Sequence, residues 1–196
     1  MISDIKAALS ESQRALNALM SNDKALTAIE SAAMLLVNCF SQGGKVLTCG
    51  NGGSLCDAMH FAEELSGKFR NDRAPLPAIS ISDPAHMSCV SNDYGYEFVF
   101  SRYVQAHCNS NDILFVISTS GSSKNILQAV KAAKTLGVKV IALTGVDLTK
   151  QSCELTEYSD CFIGTPGGNG YADRAQELHI KCIHILIELI EKKLFS

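Results

Sequence analysis

At 196 residues the chain suits one domain with a full-sized core, with helical additions at its ends. Its 46% hydrophobic and 19% charged residues are ordinary for a globule, and a formal net charge of −3 without any run of Lys or Arg argues against a nucleic-acid binder. No stretch approaches the ~20 apolar residues of a membrane span, and the opening Met-Ile-Ser-Asp-Ile-Lys has no signal-peptide character, so a cytosolic location is expected.

Two helices are expected first. Asp4 to about Met20 carries Ile5, Leu9, Leu16 and Met20 on one stripe. Asp23 to about Gln42 carries Leu26, Ile29, Ala33, Leu36, Val37 and Phe40, and Gly43-Gly44 stops it. Next comes the stretch around which the chain is organised, Lys45 to Arg70. Its apolar run Lys45 to Cys49 reads as a buried strand, Gly50-Asn51-Gly52-Gly53 as a turn, and Ser54 as the N-cap of a helix. Bare N–H groups and the positive end of the helix macrodipole coincide at such a turn, so an anion, above all a phosphate, suits it. The turn lacks the third glycine of the dinucleotide fingerprint, and no nucleoside-triphosphate loop occurs anywhere in the chain. On the helix, His60 and Glu64 are four residues apart, with Glu63 three from His60, so an imidazole and a carboxylate share a face, as acid/base or metal chemistry requires.

A second strand, Ala78 to Ile81, leads through Asp83-Pro84 into a short helix ending near Ser91. Asn92 to Tyr96 reads as a polar turn and Phe98 to His107 as a helix. Asp112 to Ile117 is apolar enough for a central parallel strand. Ser118-Thr119-Ser120-Gly121-Ser122-Ser123 follows it and opens a helix to Leu136: five hydroxyls in six residues, a second anion cradle. Val138 to Thr144 is another strand, Tyr158 to Ile163 an edge strand, Gly164 to Gly170 a flexible loop, and Tyr171 to Leu194 the last helix. That helix is apolar almost all round, more than one sheet face can cover, which points to burial in a multi-subunit bundle with the two N-terminal helices. Gln176 and His184, eight apart, stand out on it. Eight scattered cysteines with no C-x-x-C pair read as small reduced hydrophobes.

Strands alternating with helices imply an α/β fold with a mostly parallel, doubly wound sheet of flavodoxin-like type, ligands gathering at the strand C-termini. One domain over 1–196 is expected, made of a helical pair at 1–42, an α/β core at 43–170 and a terminal helix at 171–196.

The segments CGNGGS at 49–54, DAMHFAEEL at 57–65, SND at 91–93, STSG at 118–121 and YADRAQELHIKCIHILIELIEK at 171–192 resemble those of the phosphoheptose isomerases of the sugar-isomerase (SIS) superfamily. These are bacterial enzymes that convert sedoheptulose 7-phosphate into D-glycero-D-manno-heptose 7-phosphate, a precursor for lipopolysaccharide. The resemblance spans essentially the whole chain. It implies that Asn51, Gly52, Gly53, Glu64, Asn92, Asp93, Ser118, Thr119, Ser120, Ser123 and Gln176 bind the sugar phosphate. It also implies one zinc per subunit held by His60, Glu64, Gln176 and His184, with Glu64 and His184 as the acid/base pair, in a homotetramer with active sites between subunits. An amide ligand such as Gln176 is unusual for zinc. A non-catalytic SIS relative that binds the replication initiator or senses sugar phosphates is the alternative, but that class need not keep His60, Glu64 and His184 together.

Overall fold

The computed structural model describes residues 1–146, 153–167 and 171–195. Five strands, β1 (Val46–Gly50), β2 (Ala78–Ser80), β3 (Ile113–Ser118), β4 (Lys139–Thr144) and β5 (Cys161–Gly164), form one sheet in the order β2-β1-β3-β4-β5, every pair parallel. The order reverses between β1 and β3, so the crevice above their C-terminal ends is the switch point at which doubly wound sheets receive ligands. The two segments with anion-binding character, after β1 and after β3, both open onto that crevice.

Helices cover both faces. They are α1 (Ile2–Met20), α2 (Asp23–Ser41), α3 (Gly53–Ser66), α4 (Pro84–Asp93), α5 (Val99–His107), α6 (Lys124–Thr135), α7 (Glu154–Tyr158) and α8 (Ala172–Leu194). Alternation along β3 assigns the layers. Ile113, Phe115 and Ile117 face a core shared with α2, α3 and α8, whereas Leu114 and Val116 face one shared with α5 and α6. Phe61 of α3 meets Phe115 edge-on at 4.8 Å between ring centres, which pins the site-bearing helix on the sheet.

Several boundaries differ from expectation. Ser54 lies inside the first turn of α3, buried, and Gly52 at φ +55° is the N-cap. Glycine there permits a left-handed turn that any side chain would strain. Asn92 and Asp93 fall in the last turn of α4 rather than in a turn after it, because Asp83 caps the helix by accepting the His86 N–H and nothing breaks the periodicity before Gly95. Tyr158 ends α7, so the edge strand begins only at Cys161. Of the expected loop Gly164 to Gly170, Gly164 ends β5, the Thr165 hydroxyl is tied to the Thr144 carbonyl, and residues 168–170 lie outside the described residues.

The last helix also corrects its expectation. Within a single chain α2, α3 and the sheet already bury Leu178, Cys182, Ile183, Leu186, Ile187 and Ile190, leaving Ile185 as the exposed apolar position. The most exposed apolar stripe among the described residues is on α1, where Ile2, Ile5 and Leu9 face solvent.

Candidate active site

At the C-terminal end of β1 the chain must turn sharply upward. A Cβ on Gly50 would collide with the Ser54 backbone, so this glycine allows the first turn of α3 to fold back close to the strand. No side chain caps α3; the Ser54 and Leu55 N–H groups turn back to the Asn51 and Gly52 carbonyls at 3.0 Å, so the turn closes on its own backbone. Gln176 lies directly over this turn: a Cβ on Gly53 would sit 2.9 Å from its Cδ and 3.1 Å from its Oε1.

About two and three turns along α3, His60 and Glu64 point toward α8 and meet His184. The two Nε2 atoms are 2.9 Å apart, and His60 Nε2 is 3.6 Å from Glu64 Oε1. Glu63 Oε1 lies 3.2 Å from His60 Nδ1, on the side of the ring away from His184. Phe69 packs against the His184 ring with 5.5 Å between ring centres. Burial first, then the charges of His60, Arg70 and Lys181, hold His184 below the ordinary histidine range, with Glu64 opposing, so the imidazole is neutral near pH 7. Asp57, one turn before His60, is half-buried with Oδ2 unpartnered among the described residues. Burial pushes its carboxyl up to about 6 against the pull of His60.

Candidate ligand atoms of His60, Glu64 and His184 all lie within 4.8 Å of one another, which makes the trio a possible metal-binding group. The donor set fits a borderline-soft cation. Two imidazoles and a carboxylate are nitrogen and oxygen donors of the kind such a cation takes.

The second cradle follows β3. Gly121, at φ +65°, turns its N–H back to Ser118 Oγ at 3.2 Å, and Ser120 Oγ accepts from Ser122 N at 3.3 Å. Ser123 is the N-cap residue of α6, yet its side chain makes no cap bond and lies 3.5 Å from Ser118 Oγ. Hydroxyls and the positive end of a twelve-residue helix thus face the switch-point crevice beside Thr119 and Ser120.

The two cradles are joined by residues that local patterns did not reveal. Asn51 and Asn125 exchange amide hydrogen bonds at 2.9 and 2.8 Å, and Tyr96 donates its hydroxyl proton to Asn51 Oδ1 at 3.0 Å. Asn125 is buried, in the first turn of α6. Its signal in the sequence was only a polar residue at a helix start, and its partner lies 74 positions away. The Asn51 amide is thereby held in place by protein groups. Asn92 and Asp93 are exposed and bond to each other at 2.8 Å. The segment after them leads to Tyr96, and Asp93 is not among the close ligand atoms around His60.

Residues 9–145 match the SIS domain family. Phosphoheptose isomerases from Pectobacterium atrosepticum and Vibrio cholerae are each 55% identical to the chain, over 97% of it and 96% or 97% of their own lengths. Among solved structures, a phosphoheptose isomerase from Francisella tularensis superposes with a TM-score of 0.89 at 37% identity, covering 97% of this chain and 98% of that one. One from Neisseria gonorrhoeae superposes at 0.85 with 36% identity over the same shares. Fold, crevice and sequence agree: the chain belongs to the phosphoheptose isomerase family of SIS-domain proteins.

Proposed function

We propose that the protein is an aldose–ketose isomerase that interconverts sedoheptulose 7-phosphate and D-glycero-D-manno-heptose 7-phosphate, supplying heptose for lipopolysaccharide core precursors. The observation that carries the residue roles is the convergence of Glu64 and His184, 120 positions apart in the chain, at one point where α3 meets α8. The 54–55% identity to phosphoheptose isomerases over the whole chain favours the enzyme over a non-catalytic SIS relative.

The chemistry follows from the side chains. Moving a carbonyl from C2 to C1 requires taking a proton from C1, carrying the charge as an enediolate and returning the proton to C2. Glu64, a carboxylate on the face of α3 that meets α8, is the base that lifts the carbon-bound proton and returns it to the neighbouring carbon. His184, neutral because burial and neighbouring cations disfavour its charged form, accepts and returns the oxygen-bound proton between O1 and O2. Well-placed groups of this kind each contribute ~10²–10⁴ in rate. The phosphate sits over Ser118, Thr119, Ser120 and Ser123 at the start of α6, and Asn51, Gly52, Gly53, Asn92, Asp93 and Gln176 complete the sugar site. Zinc, held by His60, Glu64, His184 and Gln176, would supply a Lewis acid that polarises the carbonyl. Exposed Ile2, Ile5 and Leu9 on α1 support a homotetramer with sites between subunits, and the free, mostly covered cysteines suit a cytoplasmic enzyme.

Turnover of sedoheptulose 7-phosphate by the purified chain, with zinc or with a chelator, tests the reaction; no product in either case rejects it. Glu64→Gln and His184→Gln should each lower kcat by more than ~10²-fold while calorimetry still shows substrate binding. Undiminished turnover in both variants would remove these residues from the mechanism.

A further inference from the structure

Beyond the residues around the crevice, Arg73 occupies an unusual place. It lies in the segment between α3 and β2, yet its side chain is only 2% exposed, and all three nitrogens of its guanidinium are engaged. Nε donates to Glu191 Oε1 at 2.9 Å. Nη2 donates to the Glu64 carbonyl at 2.7 Å, and Nη1 to the Leu65 carbonyl at 2.7 Å and the Gly67 carbonyl at 3.3 Å. The last carbonyls of a helix lack intrahelical partners; the Leu76 N–H meets that of Leu65 at 3.0 Å, and Arg73 is the side chain that takes up those of Glu64, Leu65 and Gly67.

The partner on the other side, Glu191, is also buried, and it belongs to α8 seven residues after His184. His184, Glu188 and Glu191 follow i, i+4, i+7 spacing and form one stripe. Rung by rung, that stripe meets α3 and the segment after it: His184 against His60 and Phe69, Glu188 against Arg70 at 2.8 Å, Glu191 against Arg73. The Arg70 rung is largely exposed and contributes little. The Arg73 rung is desolvated, charge-assisted and joined to backbone, so displacing it strands a buried carboxylate.

We propose that Arg73 is a positioning residue that clamps the C-terminal end of α3 to α8 through Glu191, and thereby fixes where Glu64 stands relative to His184. It grips the backbone of Glu64 itself and touches neither substrate nor reacting atoms. The inference rests on the roles of Glu64 and His184 given above. Lysine in its place keeps one positive charge but cannot bond two carbonyls and a carboxylate in fixed directions.

The test uses two variants of the full chain. Arg73→Lys should lower kcat per folded molecule about 10- to 100-fold, and zinc affinity measured by chelator competition by a similar factor. KM should stay within about three-fold, because the Ser118–Ser123 cradle rests on other elements. Arg73→Met combined with Glu191→Met removes both charges while keeping apolar volume. It should unfold at nearly the parental urea concentration and still show the same loss of kcat and zinc affinity. Parental kcat and zinc affinity in either folded variant, or a loss that merely tracks the unfolded fraction, would overturn the clamp. If the parent itself fails to turn over sedoheptulose 7-phosphate, the isomerase reading falls, and the zinc-affinity comparison still decides the clamp.

Discussion

Two histidines on α8, five residues apart, are held neutral by unequal burial. His184 is partly open and faces Glu64 and His60. His179 is fully buried, and among the described residues neither of its ring nitrogens has a hydrogen-bond partner. The Thr144 carbonyl lies near enough to favour the charged form without completing a hydrogen bond, and desolvation outweighs it, pushing His179 from 6.5 down to about 4. The sign of the consequence follows from proton counting. Between about 4 and 6.5 the unfolded chain binds a proton at His179 that the folded chain refuses, so stability falls as pH drops through that window. At 1.36 kcal/mol per unit the loss approaches about 3 kcal/mol by pH 4. Replacing His179 by Leu removes this contribution. The stability of the variant minus that of the parent, from urea titrations at pH 7 and at pH 4, should therefore rise by about that amount. A difference that does not change with pH would show that His179 is not the group concerned.

At the scale of elements, the site is a docking of α8 onto α3, and at Gly53 the Gln176 amide lies against the bare backbone. Alanine is a better helix former than glycine, so Gly53→Ala in isolation would favour α3 by up to about 1 kcal/mol. In the fold its methyl would run into the Gln176 amide, the far end of a flexible side chain that can swing away. The expected outcome is a variant of near-parental melting temperature with KM for the sugar phosphate raised about ten-fold or more, read from initial rates. An unchanged KM would mean that Gln176 is not needed where it lies. How much of this was legible in the sequence follows from range. The β1 turn, the shared face of His60 and Glu64, and the hydroxyl-rich turn after β3 are contiguous and follow from local geometry. So do the parallel strands, whose apolar runs need cover on both faces. The Asn51–Asn125 pair and the Arg73–Glu191 clamp join residues 74 and 118 positions apart, and no periodicity marks either partner. The end of α4 was misplaced because Asn92 and Asp93 look like turn residues, although Gly95, with φ +101°, is the actual break. The convergence of His184 with His60 was legible only through likeness to a family, since spacing alone cannot bring two helices together.

For the whole molecule, the question is what covers α1. The sequence assigned the surplus of apolar surface to α8, and there α2, α3 and the sheet cover most of it, with Ile185 left exposed. On α1, Ile2, Ile5 and Leu9 repeat at i, i+3, i+7 and stand 72%, 58% and 65% exposed. Leu19 is buried where α1 reaches α8 and α2, so the helix is anchored at its C-terminal end and presents its first turns outward. Met20 at the other end of α1 and Ile185 of α8 are also exposed. A closed symmetric assembly uses each such patch against its own copy, so a change to one stripe is felt at every copy of that interface. Ile5→Glu combined with Leu9→Glu places like charges on the stripe without touching any residue of the crevice. If α1 is the seam of a tetramer, light scattering should show the parent at four chains and the variant at a smaller assembly. Circular dichroism should keep the parental helix content, since both positions are solvent-facing in the single chain. Because sites between subunits need the assembly, kcat should fall with the loss of mass and recover at high protein concentration, where reassociation is favoured. A variant that stays tetrameric would move the seam away from α1, and a monomeric but fully active parent would show that one chain builds the whole site.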